Sequence, residues 1–129
     1  MKYEEGAQMP HVAIDLNDLA NAPFCEQVLA LRELFGLTQK ELAQLLNGVS
    51  ERTVSRWEHN GVEPHGQNKA AVEALRTIAE TLGDVFEPKT IRVWIDKENP
   101  ALSGQRPRDF VKKGGGIYRL AALLGANGR

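Results

Sequence analysis

Cysteine is nearly absent: Cys25 stands alone, so no internal disulfide and no multi-thiolate metal site can form. Its apolar neighbours mark it as a small core residue. Long apolar runs are missing as well. No segment approaches the ~18 consecutive apolar residues that a membrane span needs, and the opening MKYEEGAQMP has acids where a secretory signal has bases. The chain is therefore expected to stay in the cytoplasm, off the membrane. Histidine is sparse. His11, His59 and His65 are scattered, no Ser/His/Asp or metal-ligand spacing occurs, and Gly114-Gly115-Gly116 lacks the following Lys-Ser/Thr of a phosphate loop. Neither catalysis nor a cofactor nor a metal is expected.

What remains suits a folded, modest-sized protein. The 42% apolar and 26% charged residues lie near globular norms, which excludes wholesale disorder. A length of 129 residues fits one compact domain or two small helical ones. The net charge of -1 hides an asymmetry: residues 1–88 hold seven Lys/Arg against fourteen Asp/Glu, while 89–129 hold nine against three. Such a split suggests two modules with different partners, or halves that attract each other in a dimer.

From Phe24 onward the hydrophobic period is mainly helical. Residues 1–22 are mixed and are expected to form an arm or a short first helix. Phe24, Val28, Leu31, Leu34 and Phe35 recur at three- and four-residue spacing, and Gly36 stops that helix. Thr38 and Glu41 form a T-x-x-E capping box for a second helix that buries Leu42, Leu45 and Leu46 and ends at Asn47-Gly48. Ser50 caps a third, Glu51 to about Glu58, which buries Val54 and Trp57 and is closed by His59-Asn60-Gly61. Residues 61–67 read as a loop, and Asn68 to Leu82 as a fourth helix. Beyond it come Pro88 to Asp96, read as helix over the alternative of a short strand at Ile91–Ile95, then turns at Asn99-Pro100 and Ser103-Gly104. A segment Pro107 to Lys113, the glycine break and a last helix Ile117 to Leu124 follow, with a trailing tail. The expected divisions are an arm (1–22), a helix-turn-helix domain (23–84) and a second small domain with a tail (85–129).

Two short helices joined by a glycine-containing turn, with a longer helix on either side, form the frame of a DNA-binding helix-turn-helix. The stretch LTQKELAQLLNGVSERTVSRWEHNG resembles the Xre/lambda-repressor type of this motif, and the likeness runs from about Phe24 to Leu82. It implies that the third helix enters the major groove of duplex operator DNA with its N-terminal residues on base edges. Arg52 and Arg56, four apart on one face, suit guanine O6/N7 or phosphate, and Thr53 and Ser55 are shorter donors. Glu51 either accepts from a cytosine amine or serves the helix N-terminus. Gln39 resembles the backbone-clamping Gln of such motifs, flanked by Thr38 and Lys40. Against this, Arg32 to Glu63 contains four Lys/Arg and five Asp/Glu, so one copy should hold DNA weakly, and useful affinity should need a dimer on two half-sites or help from the basic second half.

The stretch KTIRVWIDKENPALSGQRPRDFVKKGGGIYRLAALLG resembles the toxin-binding domain of Xre/MbcA/ParS antitoxins, through Val93, Trp94, Asp96, Asn99, Pro100, Ala101, Leu102, Gly104, Pro107, Asp109 and Phe110. The resemblance implies an all-α protein, a lambda-repressor-like bundle followed by a small helical toxin-binding domain. It also implies a homodimer that covers the active site of a RES-domain, NAD-consuming toxin and represses its own operon. The residues expected to meet the toxin are Trp94, Asn99, Pro100, Arg106, Arg108, Lys112, Arg119 and Arg129. Two other readings stay open: a toxin-binding scaffold without DNA binding, and a solo regulator answering a small molecule. The glycine run 114–116 is richer than the family pattern leads one to expect.

Overall fold

The computed structural model describes residues 16–46, 48–60 and 62–127. Among them every regular element is helical; the one bridge, Asn99 with Gln105, merely closes a turn. A 3₁₀ helix, Leu16–Asn21, precedes α1 (Phe24–Phe35), α2 (Gln39–Leu45), α3 (Glu51–Asn60) and α4 (Gly66–Gly83). Then come α5 (Pro88–Trp94), a 3₁₀ turn Pro100–Leu102, α6 (Pro107–Lys112) and α7 (Gly116–Asn127).

Local chemistry sets most of these limits. Gly36 takes φ 66°, the left-handed conformation that ends α1 and returns its own N–H and that of Leu37 to the last turn. The capping box forms on both sides: Glu41 N donates to Thr38 Oγ1 at 3.0 Å and Thr38 N donates to Glu41 Oε1 at 2.9 Å. Gly48, at φ 93°, makes the turn into α3, where Thr53 N donates to Ser50 Oγ at 3.0 Å.

Four limits differ from expectation by two residues or more. α3 continues to Asn60, α4 begins at Gly66 inside the expected loop, and α5 closes at Trp94 through the tight bonds Asp96 N to Val93 O and Lys97 N to Trp94 O. α7 runs to Asn127 instead of stopping at Leu124, since Ala121 and Leu124 pack on the core and Gly125 alone does not end a docked helix. Asn47, Gly61 and Arg129, invoked above as turn or tail residues, lie outside the described residues, as do residues 1–15 of the arm.

One apolar core runs through all of it. α1, α2 and α3 pack around Leu31, Phe35, Leu42, Leu45, Val54 and Trp57, with Phe24 edge-on to Trp57 at 5.8 Å between ring centroids. Leu19 is fully buried and seats the 3₁₀ helix near α4. α4 packs most extensively on α7, which also closes on α6; α5 rests on α1 and α6 on α2. Ile91, Ile95, Leu102, Val111, Ile117 and Leu120 therefore belong to the same core as the helix-turn-helix. Cys25, expected inside, is only half-buried. No helix among the described residues is long and apolar enough to cross a membrane.

Candidate nucleic-acid and protein interfaces

α3 presents a bare outer face. Glu51, Arg52 and Arg56 are exposed, Thr53 and Ser55 half-exposed, and neither guanidinium is held by another side chain among the described residues. Ser50 Oγ and Thr53 Oγ1 share a 2.9 Å hydrogen bond, and His59 Nδ1 donates to the Ser55 carbonyl at 2.8 Å. Thr38 and Lys40 are exposed at the start of α2. Gln39 is engaged inside the protein: its Nε2 donates to Glu58 Oε1 at 2.7 Å. That carboxylate, 1% exposed, also takes two bonds from Arg32, and Arg32 Nη1 donates to the Leu37 carbonyl at 3.2 Å. α1, the α2 start and the α3 end are thus joined by one buried acid that carried no role in the sequence reading. Its signal was an acid inside the apolar stripe next to Trp57.

The expected toxin contacts divide into two kinds. Several are occupied at home. Asn99 Oδ1 accepts from Ala101 N at 2.9 Å and caps the 3₁₀ turn that starts at exposed Pro100. Arg106 grips Asp109 with two bonds, at 2.8 and 3.2 Å. Arg108 grips Asp96 at 2.7 and 3.2 Å and reaches Glu41 Oε2 at 3.3 Å, so it ties α6 to the α5 end and to the capping acid of α2. The Arg108 side chain is 12% exposed, which makes it a fastener more than a free cation. The hydrogen bonds from Arg108 and Arg106 hold the Asp96 and Asp109 carboxyls below their ordinary range, and the carboxylates in turn raise the two guanidiniums. Arg119 lies over the Phe110 ring at 5.2 Å and donates to the Gly114 carbonyl at 3.1 Å. Lys112 is exposed, and Trp94 is half-buried with one side open. Missed in the sequence were Arg92, whose Nη2 donates to the Glu33 carbonyl at the C-terminus of α1 at 2.7 Å, and the exposure of Val93 beside Trp94.

The glycine run has a structural cause. Gly115 adopts φ 74°, and a Cβ on Gly116 would collide with the backbone of Phe110 and Val111. Among the described residues no three His, Cys, Asp or Glu side chains gather to hold a metal.

Comparison with known proteins fits both surfaces. Residues 28–85 match the helix-turn-helix family, and residues 79–127 match the antitoxin Xre/MbcA/ParS C-terminal toxin-binding domain. The chain is 32% identical over 94 residues to the mycobacterial cidal antitoxin MbcA of Mycobacterium tuberculosis and of Mycobacterium bovis, covering 73% of this chain and 81% of the relative. It belongs to the Xre/MbcA/ParS family of antitoxins. The crystal structure of the M. tuberculosis MbcT–MbcA toxin–antitoxin complex matches with TM-score 0.60 at 30% identity, over 79% of this chain and 90% of that one. The two family matches overlap at residues 79–85, the end of α4 and the two residues after it, so in this antitoxin the last turn of that helix belongs to both.

Proposed function

We propose that this protein is the antitoxin of a toxin–antitoxin pair, that it neutralises a RES-type, NAD-consuming toxin by covering its active site, and that it represses its own operon. The observation that carries the reading is the union, on one core, of an open recognition helix with a domain matching the family's toxin-binding unit. It acts in the cytoplasm as a binding protein, with no catalytic residue and no cofactor of its own. Arg52 and Arg56 read base edges or phosphate, Thr53 and Ser55 assist, and Thr38 and Lys40 meet the DNA backbone; Gln39 is set beside them by Glu58. Two copies bind two half-sites, because the acid-rich DNA face gives one copy little phosphate neutralisation. On the toxin side the contacts fall to Trp94, Pro100, Lys112 and Arg119, while Asn99, Arg106 and Arg108 hold the surface in shape.

The test is selection of bound fragments from sheared source DNA by the full chain, with the Arg52→Ala/Arg56→Ala variant as control, followed by co-expression with the neighbouring gene. Enrichment of one inverted repeat beside the protein's own gene, abolished in the variant, together with rescue of growth from the neighbour's toxicity, supports the reading. Rescue without enrichment favours the scaffold reading, for which the acidic balance of Arg32 to Glu63 speaks. No rescue overturns the antitoxin assignment.

A further inference from the structure

We propose that Arg108, in the toxin-binding half, is a positioning residue for DNA binding: it cancels the charge of Glu41 beside the side chains that meet the phosphate backbone. Glu41 stands where an anion is unwelcome. Its Oε1 accepts from Thr38 N at 2.9 Å, which fixes the carboxylate between exposed Thr38 and exposed Lys40. A phosphate reaching Thr38 therefore lies well inside the ~8 Å over which charges are felt at physiological salt, and meets repulsion. The capping box nevertheless requires an acid or an amide at this position.

The second carboxylate oxygen is met from the other half of the chain. Oε2 lies 3.3 Å from Arg108 Nη1. The fork is aimed there by its other partners: Nε and Nη2 donate to Asp96 at 2.7 and 3.2 Å, and Arg108 N donates to the Ile95 carbonyl at 3.0 Å. Only Nη1 is left over, and α6 rests on α2 so that it faces Glu41. Arg106 approaches Asp96 at 3.8 Å, so Asp96 does not claim the whole charge of Arg108. The consequence reaches the DNA face. With Glu58 paired to Arg32 inside and Glu41 paired to Arg108, the stretch Arg32 to Glu63 is left with Lys40, Arg52 and Arg56 against Glu33, Glu51 and Glu63. The basic second half thus assists DNA binding through one named contact. The inference rests on the DNA-binding part of the reading above and on neither the operator sequence nor the toxin.

Repulsion of phosphate is independent of base sequence, so a fluorescent duplex of mixed sequence at low salt is the probe, read by anisotropy with the full chain. Arg108→Ala weakens binding by about two- to fivefold, and by less as salt rises. Arg108→Ala/Glu41→Gln returns to wild-type affinity yet keeps the lowered melting temperature of Arg108→Ala. The amide preserves the capping box and removes the charge, while the bonds to Asp96 stay broken. A fastener alone cannot separate affinity from melting in this way. Glu41→Gln by itself tightens binding by about twofold. Should Arg108→Ala fail to fold, Arg108→Met keeps the apolar stem and replaces it in both variants. Wild-type affinity in the Arg108 variant overturns the proposal, as does weakened binding by Glu41→Gln. A double variant that stays weak also overturns it and makes Arg108 a phosphate ligand in its own right. In each of these cases the DNA-binding reading survives; a wild type that binds no duplex ends that reading and the proposal with it.

Discussion

Arg32 on α1 and Glu58 on α3, 26 positions apart, are held together by two hydrogen bonds, 2.7 Å from Nε to Oε2 and 3.3 Å from Nη2 to Oε1. The carboxylate is sealed from water while the guanidinium keeps partial access to it. The two ends are therefore unequal. Removing the arginine strands a buried charge; removing the acid leaves a cation that solvent can still reach.

Arg32→Ala is accordingly expected to cost about 3 kcal/mol, the usual penalty for breaking a buried pair from one side, and to lower the melting temperature by on the order of 10 °C. Gln39→Ala removes one bond to the same carboxylate and should cost about 1 kcal/mol. Thermal melts by circular dichroism give the order. Equal effects would mean that Glu58 is held chiefly by something other than Arg32.

Arg52→Ala and Arg56→Ala act on binding alone. Both side chains are exposed and free of internal partners among the described residues, so the melting curve should not move. Where the arginine reads a base through a bidentate pair, its removal should weaken operator binding by about 1–3 kcal/mol. A side chain that touches only phosphate should instead reduce the salt dependence. Fluorescence anisotropy at several salt concentrations separates the two roles.

Asp96 links stability to acidity. Its carboxyl is held below the ordinary 3.8, mainly by the hydrogen bond from Arg108. A carboxylate depressed on folding contributes stability that is complete above its unfolded value and is lost as pH falls through the folded value. Asp96→Asn should thus lower stability by no more than about 1 kcal/mol, as for a partly exposed pair. The difference should stay constant from about pH 5 to 8 and close only below about pH 4. Melting temperatures of the two proteins across that range check it; a difference that grows on acidification would contradict the assignment.

Gly116→Ala and Gly114→Ala should behave as opposites. The first forces a methyl group into the Phe110 and Val111 backbone at the corner where α7 leaves α6, and should cost more than about 2 kcal/mol. The second meets open space and should change little. Urea unfolding of both variants distinguishes a packing constraint from a need for flexible chain, which would make them similar.

Helix starts and stops were legible wherever a few adjacent residues decide them, as with the Thr38–Glu41 box and Gly36. Limits set by distant contacts were not. Nothing near Leu124 announces that α7 continues, because packing on α4 carries it past Gly125. The sequence left an arm and a short first helix both open before Phe24, and the 3₁₀ helix is fixed only once Leu19 finds the core. The same distinction holds for the interfaces. Arg52 and Arg56 share a helix face that spacing alone reveals. Arg108 looked like a free cation because its partners, Asp96 and Glu41, lie on other elements. The exposure of Val93 beside Trp94 escaped notice because both residues fit a buried period as well as an exposed one.

The packing of α7 on α4 bears on how the fold comes apart. α4 is the longest helix among the described residues and packs on both α1 and α7, so pulling α7 away strips cover from the helix that supports α1. The two surfaces therefore share one cooperative unit, and loosening the last helix is felt at the helix-turn-helix.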